Sequence, residues 1–425
     1  MKTFYIRTLG CKVNQCDSQE LRERLFQFGL NEYRKGEEAD ISIINTCCVT
    51  HHADRKSRAA IRDLVRRRGL KSSLIAVTGC YVRYDRQAIE SIEGVDAVFE
   101  NSRKDELIIK WIGKEFQDGQ TKNFRVSGFA GRTRAFLKIQ DGCDNRCSFC
   151  IVPYVRGPSR SKGISCIMEE AHRRVEAGYK EIVLTGVNLG SFGKDLRPKI
   201  DLVHIIEELE QIKNLLRIRL SSIEATDVTD QLIEKMAHSE KLCPHLHIPF
   251  QSGDDEILRL MNKRLRTKDY LEIIEKARTK IKNLAITCDF IVGFPAEEDE
   301  SFQNSLEFVK SVLPLRTHIF TYSQRQGTSL CGKEKEVYIC GDIVKDRFDR
   351  LKSLSDELSL DFKNRYLSKE LSVLFEEKKG GLWQGYSENY IKISVRSDLP
   401  LRNVISKVKV VDFKGDFCLA EIIQK

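Results

Sequence analysis

A short apolar run, Ala135-Phe-Leu-Lys-Ile-Gln140, leads through Asp141-Gly142 into three cysteines, Cys143, Cys147 and Cys150, spaced C-x₃-C-x₂-C. The run reads as a buried strand and Asp-Gly as its stop. A strand that delivers three thiols onto one tight loop presents soft ligands to metal. Structural zinc wants four protein ligands in a closed tetrahedron, and the next histidine along the chain is His172. A [4Fe–4S] cluster has four irons, each taking an outer ligand that is normally a thiolate. Three thiolates therefore leave one iron open to a small molecule. The competing readings are a zinc site completed from elsewhere, or three cysteines with no common role.

The rest of the chain can supply such a site with a sizeable scaffold. Its 425 residues have room for several domains, and 41% hydrophobic with 31% charged residues is an ordinary globular balance. No run of 18 apolar residues offers a membrane span, and the start, MKTFYIRTLGCK, lacks the apolar core of a signal peptide. Fourteen cysteines in such a chain argue for a reducing compartment, so a cytoplasmic location is expected. The net charge of +9 permits a nucleic-acid partner without requiring one. Its densest run, His51 to Arg68, fits a helix whose basic face is either solvated or turned to RNA.

Residues 1–125 alternate strands (Thr3–Leu9, 41–46, 74–78, 97–99) with helices (17–28, 53–68, 85–92), which predicts a parallel α/β sheet. Cys11, Cys47 and Cys80 each follow one of these strands. Ligands gather outside the carboxyl ends of parallel strands, so the three can converge on a second site that also leaves one iron open. Cys16 and Cys48 compete with their neighbours for the role. Cys47 is preferred to Cys48 because it comes first after its strand.

The central cysteine loop resembles that of the radical S-adenosylmethionine (SAM) enzymes. TLGCKVNQCDS at Thr8–Ser18, INTCCVTHHADRKSR at Ile44–Arg58 and the tail VPYVRGPSR resemble the methylthiotransferases, which are radical SAM enzymes with two clusters. Within that family GCKVNQ and ADRKSR look most like the branch acting on N6-threonylcarbamoyladenosine in tRNA. The resemblance implies that the iron left open by Cys143, Cys147 and Cys150 chelates SAM, which is cleaved to a hydrogen-abstracting radical. It also implies that a second cluster, on Cys11, Cys47 and Cys80, holds the sulfur to be transferred. Phe149 resembles an aromatic residue common at that position, or is a packing residue.

Residues 130–365 repeat the strand–helix unit six times, with strands at 181–184, 217–220, 245–250, 285–292 and 318–322 after the cysteine strand. This predicts an incomplete parallel barrel whose site faces the carboxyl ends of its strands. Just past those ends stand Gly186, Asn188, Ser221, Glu224, Gln251, Gly293 and Pro295. Glycine admits close backbone approach, and the polar side chains can bond ribose, adenine or an amino group; by resemblance they line the SAM pocket. Ala296-Glu297 departs from the Gly-Glu-Thr common there. Arg156 and Arg160, behind the cysteine loop, are candidates for a substrate carboxylate or phosphate, since their forks donate paired hydrogen bonds; plain surface arginines are the alternative.

A mixed-charge helix over 342–367 leads to residues 367–425, which read as a small all-β domain resembling the RNA-binding TRAM module. Gly380-Gly381, Gly385 and Lys414-Gly415 mark its turns. Trp383, Tyr386 and Tyr390 could stack on unpaired bases or fill the barrel. The resemblance implies an enzyme that replaces hydrogen on C2 of a modified tRNA adenosine with a methylthio group. Its partners would be a tRNA anticodon loop, an electron donor such as a flavodoxin, and a sulfur donor. Isopentenyladenosine or a ribosomal-protein aspartate as substrate, and a non-enzymatic iron–sulfur RNA-binding sensor, are the alternatives.

Overall fold

Strands β1 (Thr3–Thr8), β2 (Asn31–Glu32), β3 (Ile41–Thr46), β4 (Leu74–Gly79) and β5 (Ala97–Val98) pair in parallel, in the order β2-β1-β3-β4-β5. Every residue of β3 is buried, as a strand covered on both faces must be. The computed structural model describes residues 3–33, 39–68, 74–101, 132–332 and 339–423. The expected boundary at 125–130 lies outside them.

The chain continues through β6 (Arg134–Lys138), the short antiparallel pair β7 (Gln140–Asp141) and β8 (Arg160–Ser161), then β9 (Glu181–Thr185), β10 (Arg217–Leu220), β11 (His245–Gln251), β12 (Ala285–Val292) and β13 (Arg316–Thr321). Two parallel sheets, β10-β9-β6 and β11-β12-β13, are joined by bridges at Ile218–Leu242 and Ser222–His247. The result is a six-strand arc, β6-β9-β10-β11-β12-β13, whose two edge strands do not pair with each other. Leu246, Ile248, Phe250, Ile286, Cys288 and Phe290 share one apolar core with outer-helix residues such as Tyr270 and Phe308. Side chains alternate along a strand, so the intervening polar residues face the inside of the arc.

Helix Gly341–Asn364 then leads to a closed barrel, β14 (Glu370–Lys379), β15 (Leu382–Ser387), β16 (Lys392–Val395), β17 (Ile405–Lys414) and β18 (Phe417–Ile422), in the order β14-β15-β16-β18-β17. Gly385 corrects the sequence reading: it is no turn but lies inside β15. A Cβ there would stand 2.1 Å from the Leu374 carbonyl oxygen, so glycine is needed for the crossing of two strands. The barrel is tied to the arc by Arg217 and Arg219, which donate to the carbonyls of Ser372, Ser387 and Glu388 at 2.6–3.1 Å. Tyr390 stacks on His245 with centroids 4.5 Å apart, and Tyr386 stacks on Tyr390 at 4.9 Å. Both tyrosines thus belong to this seam. Among the described residues no helix is long and apolar enough to cross a membrane.

Candidate active site

The sheet gathers the first triad through close backbone approach. Gly10, with φ +97°, would place a Cβ 2.7 Å from Cys47 Cβ and 2.9 Å from its sulfur. Gly79, with φ +106°, would place one 2.3 Å from the Thr46 carbonyl oxygen. These glycines, one immediately before Cys11 and one before Cys80, let the ends of β1 and β4 close on the end of β3. Asn14 clamps the arrangement, donating to the Leu9 and Thr46 carbonyls at 2.8 and 2.9 Å. Burial pushes the Cys47 thiol up to about 12, and Cys11 and Cys80 push the same way, so the three sulfurs sense one another. Cys48 is buried in the apolar cluster of Ile44, Ile61 and Leu64, to which Cys80 also belongs, and it too senses Cys47 and Cys80. Cys16 is buried in the core of the arc. Of the cysteines outside these loops, Cys166 and Cys340 are exposed and Cys243, Cys288 and Cys418 are buried.

The second triad stands on one loop, held from both sides. Gln140 Nε2 donates to the Gly142 carbonyl at 2.8 Å and to Ser159 Oγ at 2.9 Å. Ser148 Oγ donates to the Leu260 carbonyl at 2.7 Å, pinning the loop's middle to the arc. Gly142 has φ +74°, and a Cβ on it would overlap the Pro158 carbonyl oxygen at 2.0 Å. Burial raises Cys143 to about 11 and Cys150 to about 12. Cys143, Cys147 and Cys150 all line one cavity of about 420 Å³, with Arg146 and Tyr154 on its wall.

The two loops meet. Helix Cys80–Tyr84 follows one triad and helix Val152–Arg156 the other, and Tyr81, Val82, Ile151 and Val155 share one apolar cluster. Arg156 crosses the seam and corrects the reading of it as a substrate-facing side chain. It is buried, its Nη1 donates to Asp141 at 2.8 Å, and its Nη2 donates to Asp17 at 3.0 Å and to Asn14. Lys138 joins Asp17 and Asp141, so two cations face two carboxylates. Burial raises the Cys80 thiol, and Arg156 beside it pulls it back down. Arg160 is exposed and lines a cavity with Arg24, Arg83 and Arg156. Arg325, buried in the loop after β13, donates to the Cys48 carbonyl at 3.0 Å and to Asp54 at 2.7 Å.

The expected pocket residues ring the strand ends of the arc. Asn188 N donates to Gln140 Oε1 at 2.9 Å, which places it against the cysteine loop, and its Oδ1 is buried without a partner. Ser221 Oγ is likewise buried and unpartnered. Gly186 sits where a Cβ would meet Gln140 Oε1 at 2.9 Å. Glu224 accepts from Lys263 Nζ at 2.7 Å, and both line a cavity of about 260 Å³ with Cys147. Lys263 carried no signal in the sequence because it follows a helix rather than a strand. Gln251 and Gly293 take positive φ, +74° and +72°, at the ends of β11 and β12. Phe149 packs edge-on against Phe294 at 6.4 Å, next to the buried Pro295. Glu297 accepts from Gly293 N at 2.8 Å and pairs with Arg347 at 3.0 Å, while Ala296 takes φ +66°.

Comparison with known proteins agrees with this arrangement. Residues 137–309 match the radical SAM superfamily, and residues 3–100 match the uncharacterized protein family UPF0004. The threonylcarbamoyladenosine tRNA methylthiotransferase MtaB of Bacillus subtilis strain 168 is 34% identical over 430 residues, covering 97% of this chain and 94% of that protein. The tRNA-2-methylthio-N(6)-dimethylallyladenosine synthase of Clostridium tetani is 36% identical over 435 residues, covering 97% and 91%. The chain belongs to the radical SAM methylthiotransferase family. As such an enzyme it takes SAM and [4Fe–4S] clusters as cofactors. The donor sets fit: each site offers thiols only, gathered in threes, whose protons a metal's charge displaces on binding. The fold is similar to that of the radical SAM methyltransferase TsrM of Kitasatospora setae, with a TM-score of 0.57 at 11% identity over 78% of this chain and 74% of that one.

Proposed function

We propose that this methylthiotransferase modifies N6-threonylcarbamoyladenosine at position 37 of tRNA, placing a methylthio group on C2. The observation that carries the proposal is the meeting of two thiol triads across one seam. A C2–H on an aromatic ring offers no acidic proton for a base, so the reaction calls for hydrogen abstraction. When bound, a cluster on Cys143, Cys147 and Cys150 with SAM supplies that abstracting radical. Cys11, Cys47 and Cys80 are assigned to the second cluster, with Cys48 left to packing. Gly186, Asn188, Ser221, Glu224, Gln251, Gly293 and Pro295 are assigned to SAM, with Phe149 as a packing residue below it. Arg160 is free to meet substrate, whereas Arg156 positions the two loops.

The threonylcarbamoyl substituent ends in a carboxylate, and the half-buried Lys12, next to Cys11, is a cation suited to it. Lys12 senses Arg134, Arg219, Asp289 and Tyr390, so it shares the inside of the arc. Isopentenyladenosine, which has no charge to pair, is the second reading, and relatives named for it are as similar in sequence. The proposal divides the chain into a cluster-bearing unit (1–125), a SAM-binding arc (130–365) and an RNA-binding barrel (367–425). A cytoplasmic location, an electron donor such as a flavodoxin and a separate sulfur donor complete it.

Nucleoside mass spectrometry of tRNA from cells with and without the gene tests the substrate. Loss of 2-methylthio-threonylcarbamoyladenosine, with its unthiolated precursor accumulating, is expected. Loss of the isopentenyl counterpart instead would select the second reading.

A further inference from the structure

His247 and His318 take no part in the site described above, and Asp289 enters it only as a carboxylate that Lys12 senses. Asp289 lies directly opposite His318 in the parallel register, and His247 directly opposite Thr287. Thr287 and Asp289 are two apart on β12 and leave the same face, the inside of the arc. Asp289 Oδ2 is 3.1 Å from His247 Nε2, Oδ1 is 3.1 Å from His318 Nδ1, and all three ligand atoms lie within 4.8 Å of one another. His247 precedes its strand's end at Gln251 by four positions, and Asp289 and His318 precede theirs at Val292 and Thr321 by three, a rise of roughly 10–13 Å at about 3.3 Å per residue. The cluster is therefore a separate layer beneath the candidate SAM pocket.

The surroundings orient it as a metal site requires. His247 Nδ1 lies 2.8 Å from Thr287 Oγ1, and His245 Nε2 lies 2.9 Å from the same oxygen. One hydroxyl proton serves two rings. With His247 Nε2–H donating, Asp289 closes the trio by hydrogen bonds alone; with the proton on Nδ1 and donated to Thr287, the Nε2 lone pair points at the carboxylate and two acceptors face each other. A cation between them resolves that opposition, and the Thr287 contact is the outer-shell bond that fixes the ring. His318 is exposed and lines a cavity of about 890 Å³ with Arg316, Lys352, Asp356, Lys363, Tyr386 and Asp416 between β13, helix Gly341–Asn364 and the C-terminal barrel.

We infer that His247, Asp289 and His318 bind one divalent transition-metal ion of zinc's class, through two imidazole nitrogens and a carboxylate oxygen, leaving a position open toward this cavity. Three N/O ligands plus an open position is the arrangement of a reactive rather than a closed structural zinc site. The missing thiolate separates it chemically from both cysteine triads. The open position suits water or an anionic oxygen such as phosphate. The inference does not depend on which nucleoside is modified.

Cluster-loaded enzyme, desalted under anaerobic conditions, is equilibrated with Zn²⁺ and read by elemental analysis and zinc K-edge absorption. About one zinc per chain is expected, with an N/O-only shell at roughly 2.0–2.2 Å that includes imidazole scattering. His318→Gln and Asp289→Asn should lose that zinc while iron content and circular dichroism stay unchanged. His318 is exposed, so its variant tests the site even if His247→Ala fails to fold. A sulfur shell at about 2.3 Å would place zinc in a cysteine triad. That result, zinc retained by His318→Gln, or no stoichiometric zinc, would overturn the inference.

Discussion

The two cysteine triads reach similar chemistry by opposite routes. Cys11, Cys47 and Cys80 come from three strands, and their convergence depends on sheet register and on Gly10 and Gly79. Cys143, Cys147 and Cys150 come from one loop, and their convergence depends on local bonds from Gln140 and Ser148. A site assembled by a whole sheet is vulnerable to anything that shifts a strand. A site carried on one loop can be docked against a partner as a unit, here through Ile151 and Val155.

The largest expected effects separate the triads by role. Alanine at Cys143, Cys147 or Cys150 should abolish both SAM cleavage and methylthio product, by at least about a thousandfold, as when one member of a cooperating set is removed. Alanine at Cys11, Cys47 or Cys80 should abolish product yet leave reductive SAM cleavage running. Chromatography of 5′-deoxyadenosine and modified nucleoside measures both, and equal loss of cleavage in the two sets would erase the distinction.

Arg156→Ala should come next, because it leaves the buried Asp17 and the Asp141 carboxylate with Lys138 as the one cation between them. Breaking such a buried pair costs about 3–5 kcal/mol, read as a fall in thermal midpoint. Arg156→Lys should recover less than half of this, since one ammonium cannot reproduce the fork's separate bonds. The same network sets a pH dependence. Burial alone would raise the Asp141 carboxyl, but Arg156 and Lys138 outweigh it and hold the group below its ordinary range. The folded-state value is depressed, so the stabilisation is present above the ordinary carboxylate pKa and is lost as pH falls through the depressed one. Denaturant midpoints measured down to acid pH should slope less in Arg156→Ala.

Smaller effects sharpen the assignment within the sheet. Cys48→Ala should keep its iron and lose only about 1 kcal/mol of packing, whereas Cys47→Ala should lose the iron of the first triad. Iron analysis of the two variants decides between neighbours. Ala296→Gly should gain about 1 kcal/mol, because φ +66° strains any residue with a Cβ. Denaturant unfolding measures it.

Much of this was legible in the sequence because buried parallel strands read as apolar runs. Ile41–Thr46, Arg217–Leu220 and Ala285–Val292 fall where expected, and both triads follow strands as expected. The first helix was less legible, since it starts at Lys12 rather than Asp17. Its buried face includes Asn14, Asp17, Gln19, Arg22 and Glu23, so an apolar stripe could not mark it. Asn14, Asp17 and Glu23 are buried where they bond the next folded unit, as Asp17 does with Arg156 and Glu23 with Arg174, while Gln19 and Arg22 pair within their own. For the same reason a contact such as Arg325 to Asp54, between residues 271 positions apart, leaves no local trace. β15 was hidden by Gly385, whose turn-like identity serves a strand crossing instead.

The arc stops short of a ring: β13 and β6 face each other without pairing. A fully closed parallel barrel is filled by its own side chains, so only a compound small enough to reach its rim could react there. A gap in the wall changes what can be served. Helix Lys12–Gln27 packs on β6 beside this gap and brings Lys12 to the inside of the arc, so the unit that carries the first triad supplies part of the missing wall.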